Sequence, residues 1–163
     1  MKKRKILLFF MEMLIGAACG AVVVWKIMGR GIERWKELAD KNYVLFLLMN
    51  KWMKTKQGGG HIREYLEENE YKSVAVYGMS HVGKCLLEEL KDCDVQIKYA
   101  VDRNGAAVNS NIEIYTPEDV LPEADVMIVT AVYYYQDICN VLKDKVTYPI
   151  VSLEDILFNI DRS

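Results

Sequence analysis

A doubly wound α/β fold is what this sequence predicts for its second half: a single five-stranded parallel sheet, order 3-2-1-4-5. Three observations predict it. Strand-like and helix-like stretches alternate from Ser73 to the C-terminal helix, as βαβ units require. The runs VAVY and VMIVTA are almost continuously apolar, as expected of strands covered by helices on both faces. A glycine-bearing turn, Gly78–Gly83, lies between the first strand and the first helix. Ahead of this domain the sequence predicts a transmembrane helix and a helical connector. The expected division is 1–28 anchor, 29–70 basic connector with a glycine hinge, and 71–163 domain.

Composition sets the outer bounds. A chain of 163 residues with 52% apolar content holds one globular domain and an appendage. Net charge is −2, but residues 1–60 carry 12 Lys/Arg against 4 Asp/Glu, and residues 61–163 carry 9 against 19. The acidic domain lacks the basic face that nucleic-acid binding needs. A basic leader beside it suits anionic lipid. The four cysteines, at 19, 85, 93 and 139, form no C-x-x-C, and with two histidines they predict no metal site and no disulfide framework. Cys85 and Cys139 are expected to be buried thiols.

In chain order, Lys2-Lys3-Arg4-Lys5 precedes the apolar run of residues 6–25, broken only by Glu12 and ended by Trp25. Twenty residues span about 30 Å as a helix, the depth of a bilayer's hydrocarbon core. A signal peptide or a lipoprotein segment cut at Cys19 are the alternatives, and a buried or interfacial helix is a third. Gly16 and Gly20 form a G-x-x-x-G that would let two such helices dimerise. Flanking charge does not decide orientation; a nucleotide ligand would place the domain in the cytoplasm, with the chain held in the cell membrane by one pass. Residues 33–57 carry apolar residues at helical spacing, including Trp35, Leu45, Leu48 and Trp52, and are expected to pack on the domain; the alternative is a place at the lipid surface, with Lys51, Lys54 and Lys56 at headgroups. Gly58-Gly59-Gly60 ends that helix, and Ile62–Asn69 forms a short one.

The domain's strands are predicted at 73–77, 95–101, 112–115, 125–130 and 149–152, and its helices at 81–91, 134–144 and 153–160. Thr116 and Ser152 suit N-caps, and Pro117 suits a first helical position.

The candidate site collects where this chain order would bring a phosphate and a ribose together. Gly78, Met79, Ser80, His81, Val82 and Gly83 form a Rossmann-like turn in which Ser80 replaces the second glycine of G-x-G-x-x-G. Helix N-terminal N–H groups there would bind phosphate, and Ser80 or His81 could add a contact. Asp102, 19 residues beyond Gly83, is placed to take ribose hydroxyls, and Arg103 to stack on a base or meet a 2′-phosphate. Thr130 ends the fourth strand at the switch point, followed by Tyr133-Tyr134-Tyr135, of which at least one must pack inward. These residues suit NAD, NADP or a nucleotide-sugar. A P-loop is disfavoured because Lys84 is followed by Cys85 rather than Ser or Thr. No Tyr-x-x-x-Lys follows the fourth strand and no substrate domain follows the fifth, so no catalytic residue is assigned.

The runs YKSVAVYGMSHVGKCLLEEL, IKYAVDRN, ADVMIVTA and YPIVSLEDIL resemble Rossmann-like proteins and domains of Gram-positive anaerobes. These are similar to the nucleotide-sugar and CoA-binding-like domains of polysaccharide biosynthesis proteins. NYVLFLLMNKWMKTKQGGGHIREYLEEN looks like their pre-domain segment, and GAACG like their anchor. Such relatives usually carry glycine where Ser80 stands. The resemblance implies a nucleotide or nucleotide-sugar binding module, a sensor or accessory in envelope polysaccharide assembly. Two alternatives remain: a subunit of an NAD(P)-dependent sugar-nucleotide oxidoreductase or epimerase completed by a partner, and a ligand-free interaction scaffold.

Overall fold

The structure, a computed structural model, describes residues 2–105 and 112–160; side chains of most residues before Met28 lie outside the described set. The chain divides into two compact units, Met1–Tyr43 and Val44–Ser163.

The first unit is helical, part of α1 (Lys2–Gln57). Gly29 and Gly31 do not interrupt α1, although each costs about 1 kcal/mol relative to Ala in a helix interior. Among the described residues, no helix is long and apolar enough to cross a membrane. This corrects two expectations together: the transmembrane helix over 6–25, and the placement as a single-pass protein of the cell membrane with a cytoplasmic domain. The apolar run is one stretch of a longer helix that carries Glu12 within it and Lys26, Arg30, Glu33 and Arg34 soon after it. Most side chains of 6–25 lie outside the described residues. Of the small-residue motif, Gly16 and Gly20 are exposed, with no other chain atom near a would-be Cβ.

The second unit begins with the last turns of α1, where Leu48 and Trp52 are buried in the core; the expected packing of the apolar face of 33–57 is limited to these two, since Trp35, Tyr43, Leu45 and Phe46 are exposed. Helix α1 ends in a Schellman cap. Gly59 has φ +86°, Gly60 N donates to Thr55 O at 2.9 Å, and Gly59 N donates to Lys56 O at 3.1 Å. A Cβ on Gly60 would stand 2.7 Å from Ile160 Cγ2 and 3.0 Å from Thr55 Cγ2, so a side chain there would force these side chains to shift. Helix α2 (Ile62–Glu68) repeats the device without a glycine. Glu70 takes φ +58°, while Tyr71 N bonds Leu66 O and Glu70 N bonds Glu67 O.

From there the chain alternates: β1 (Ser73–Tyr77), α3 (His81–Leu90), β2 (Gln96–Val101), β3 (Ile114–Tyr115), β4 (Val126–Val129), a 3-10 turn at Val132–Tyr134, α4 (Tyr135–Leu142), β5 (Ile150–Ser152) and α5 (Leu153–Ile160). All four strand pairings are parallel, in the order β3-β2-β1-β4-β5. The predicted sheet and its order are therefore observed. Ser152 caps α5 through Oγ, which accepts from Glu154 N at 3.2 Å.

Strand periodicity divides the core into two layers. Val74, Val76, Val126 and Ile128 face a cluster closed by α1, α2, α3 and α5, with Leu66, Leu86 and Leu157 fully buried. Ala75, Tyr77, Met127 and Val129 face the opposite cluster, closed by Ile138 and Leu142 of α4. Each such aliphatic side chain contributes about 1.5–3 kcal/mol on burial.

Candidate functional site

The turn after β1 sits at the switch point, between β1's neighbours β2 and β4. Gly78 has φ +100°, a conformation L side chains rarely adopt, and its would-be Cβ lies 2.8 Å from Thr130 Oγ1. Gly83 is under a tighter constraint: a Cβ there would stand 2.0 Å from Gly78 O. Both glycines thus serve the close approach of α3 to the turn. Thr130 is buried, and its hydroxyl is spent on the same turn, donating toward Gly78 O at 2.7 Å and Tyr77 O at 3.1 Å. The structure makes Thr130 a brace of the turn.

Asp102, half-buried at the end of β2, faces this turn from the other side. Its Oδ2 accepts from Met79 N at 2.7 Å and its Oδ1 from Asn104 N at 2.8 Å. Each carboxylate oxygen has a second lone-pair direction, so these bonds leave Asp102 able to accept ribose hydroxyls. Met79 itself turns its side chain into the core, 4% exposed, and Val82 is 3% exposed. Of the turn residues singled out from the sequence, Met79 and Val82 therefore offer a ligand backbone only. Ser80, His81 and Arg103 are exposed. Ser80 occupies the N-cap of α3 with no side-chain capping bond, and Lys84 N makes the helix's first bond, to Ser80 O. The N–H groups of His81, Val82 and Gly83 precede that bond and have no intrahelical acceptor.

Across the switch point, Tyr133 and Tyr134 meet edge to face with ring centroids 5.0 Å apart. Tyr135 turns inward: its hydroxyl donates to Ile150 O at 2.9 Å, and burial pushes its pKa up to about 12. Tyr99 lies deeper, in the α4-side cluster. Its hydroxyl is hydrogen-bonded to that of Tyr148, and burial first, then this bond, raises its pKa. Neither phenol is suited to ionise near neutrality.

Two arrangements escaped the sequence reading. Glu89 of α3 accepts from Trp52 Nε1 at 2.6 Å and Ile62 N at 3.1 Å, and pairs with Lys56 at 3.3 Å. One carboxylate thereby ties the end of α1 and the start of α2 to α3. Beside it His61, Arg63, Glu89, Asp92 and Cys93 line a cavity of about 240 Å³. The second is Asp125, whose Oδ2 accepts from Lys72 N at 2.8 Å and Ser73 N at 2.7 Å, while its own N–H donates to Ser73 Oγ at 3.0 Å. Those backbone bonds hold the Asp125 carboxyl below its ordinary pKa. The buried-thiol expectation is corrected: Cys85 is exposed and Cys139 half-buried, because the buried face of α3 is taken by Val82, Leu86 and Leu90 and that of α4 by Ile138 and Leu142.

Fold and turn together define a parallel α/β domain of Rossmann-like arrangement, with a glycine turn, a helix N-terminus and a carboxylate converging at its switch point. Comparison with family models, with curated proteins and with solved structures returns no match.

Proposed function

We propose that residues 44–163 form a binding module for a nucleotide or nucleotide-sugar, serving as a sensor or accessory rather than turning its ligand over. One observation carries the reading. The carboxylate of Asp102 and the glycine turn are held within one hydrogen bond of each other, 2.7 Å from Met79 N to Oδ2. A ribose at Asp102 would bring its phosphate to the N-terminus of α3. NAD and NADP fit this chemistry, as does a nucleoside-diphosphate sugar. Assembly of envelope polysaccharide is the setting that the sequence resemblance favours.

The test is a thermal-shift and calorimetry panel on the full chain with NAD, NADP, UDP-sugars, CoA and ATP. A ligand present at a hundred times its Kd should stabilise the fold by about 2.7 kcal/mol, a shift of several degrees. Asp102→Ala should then weaken the hit by about 1–3 kcal/mol, the loss expected for a hydrogen bond to a charged group. A flat panel, or a hit indifferent to Asp102→Ala, would sink this reading.

A further inference from the structure

We propose that α1 is the dimerisation element of this protein, pairing in parallel and in register with α1 of a second copy through a heptad seam. The seam goes beyond the nucleotide reading and uses none of its residues. Trp25, Met28, Ile32, Trp35, Ala39 and Asn42 recur at alternating intervals of three and four, the a and d positions of a heptad. In the sequence the same spacing reaches back through Ala21, Ala18, Leu14, Met11 and Leu7.

The described part of the seam is uncovered. Trp25 is 79% exposed, Met28 59%, Ile32 65% and Trp35 73%. Charge is sorted against it. Of the eight charged residues between Val24 and Tyr43, Lys26, Arg30, Glu33, Arg34, Glu37, Asp40 and Lys41 fall at b, c or f; Lys36 alone flanks the seam, at e. A contiguous apolar stripe of this kind on a helix marks an interaction surface. Its period of 3.5 residues identifies the cover as another helix of the same period, since knobs at a and d need matching holes.

Area and polarity both select a second copy. Tryptophans bury about 150–250 Å² each, so the four in a dimer supply roughly 600–1,000 Å². With Met28 and Ile32 from both chains the seam reaches the range of about 1,200–2,000 Å² typical of stable interfaces. Asn42 is the one polar residue among these core positions from Leu7 to Asn42. In a parallel, in-register pair it meets its own copy and the two amides satisfy each other, whereas a parallel pair shifted by one heptad sets it against Trp35. Gly16 and Gly20 fall at f and c, on the opposite side of the helix, so the two candidate pairing faces can be told apart.

Sedimentation equilibrium of the full chain tests the proposal. The expected mass is twice 18.8 kDa. Ile32→Asp with Trp35→Asp should return it to a single chain. Both side chains are exposed in the monomer, so the thermal transition of the domain should be unchanged. Arg34→Asp, at c, and Gly16→Ile with Gly20→Ile should leave the dimer intact. Asn42→Leu should tighten association, because a polar side chain in the seam costs stability and leucine at d favours the two-stranded form. A monomer at every concentration would overturn the proposal, as would an assembly that survives the paired aspartates or is dissolved by the glycine variants instead. Association unmoved by Asn42→Leu would overturn the in-register pairing.

Discussion

The two ends of the parallel sheet use the same chemistry for different ends. At the carboxyl end Asp102 accepts two backbone N–H groups, from Met79 and Asn104, and one of them belongs to the glycine turn. At the amino end Asp125 accepts two as well, from Lys72 and Ser73, and its own N–H returns a bond to Ser73 Oγ. Asp125 thereby ties the entrance of β1 to the entrance of β4. Asp102 ties a turn beside which the helix α3 still offers N–H groups. A carboxylate bound to backbone amides is therefore no sign of a ligand site by itself. What distinguishes Asp102 is its neighbour, a turn whose glycines are forced by contact and by φ.

The largest effect should come from testing that forcing directly. Gly83→Ala would place a Cβ 2.0 Å from Gly78 O, a backbone atom that cannot swing away. Helix α3 would have to withdraw from the turn. We expect a loss of about 3 kcal/mol or more, at the upper end of overpacking costs, read by urea denaturation of the full chain. A loss under about 1 kcal/mol would mean the turn is slack, and the contrast between the two ends of the sheet would fail with it.

Next comes the pair of carboxylates. Asp102→Ala and Asp125→Ala each strip an acceptor from two backbone donors, and each should cost about 1–2 kcal/mol in folding. They should part on ligand. Asp102→Ala should weaken any nucleotide found by the panel by about five- to 150-fold, the equivalent of about 1–3 kcal/mol, while Asp125→Ala should leave its Kd within about twofold. Equal effects on binding would erase the difference drawn between them.

Acid sharpens the amino end alone. The folded-state pKa of Asp125 is lowered, chiefly by the bond from Lys72 N and then by that from Ser73 N. Its contribution is thus present above the unfolded value of about 3.9 and is lost as pH falls through the lower folded value. The stability gap between wild type and Asp125→Ala should be constant from about pH 5 to 7 and should shrink below about pH 4. Asp119, lowered by its bonds from the backbone and hydroxyl of Thr116, loses its own contribution in the same direction in both proteins and cancels from the gap. A gap that persists at pH 2 would show that Asp125 acts through packing rather than charge.

How much of this the sequence disclosed follows from range. The sheet order and most strand positions were legible, because continuous apolar runs and the turn between them are local signals. Gly78 and Gly83 were legible for the same reason. The long helix was not. The expected division placed an anchor at 1–28 and a connector after it, yet α1 runs through that boundary, across Gly29 and Gly31. The membrane expectation came from hydropathy over residues 6–25 taken apart from the polar turns that follow. Glu89 was invisible because its partners, Trp52 and Ile62, lie 37 and 27 residues away. Met79 was read as part of the site, and backbone N–H and side chain go different ways there: one to Asp102, the other to the core.

The smallest effect belongs to the approach to β1. Glu70 holds φ +58° at the end of α2, the left-handed conformation for which Gly59 provides a glycine at the end of α1. The hydrogen bonds of the two caps are otherwise alike: a 6→1 bond to Leu66 O in one and to Thr55 O in the other. Left-handed backbone costs a non-glycine residue about 1–2 kcal/mol, and glycine gives back part of that relief through the greater freedom of its unfolded chain. Glu70→Gly should therefore stabilise the full chain by about 0.5–1 kcal/mol. It lies three residues from Ser73, at the amino end of the sheet, so the affinity for any nucleotide found by the panel should not move. A stabilised variant with unaltered binding would show that the amino end can be improved without touching the site. Were affinity to change with it, the two ends of β1 would be coupled, and Asp125 would have to be counted among the residues that shape the glycine turn.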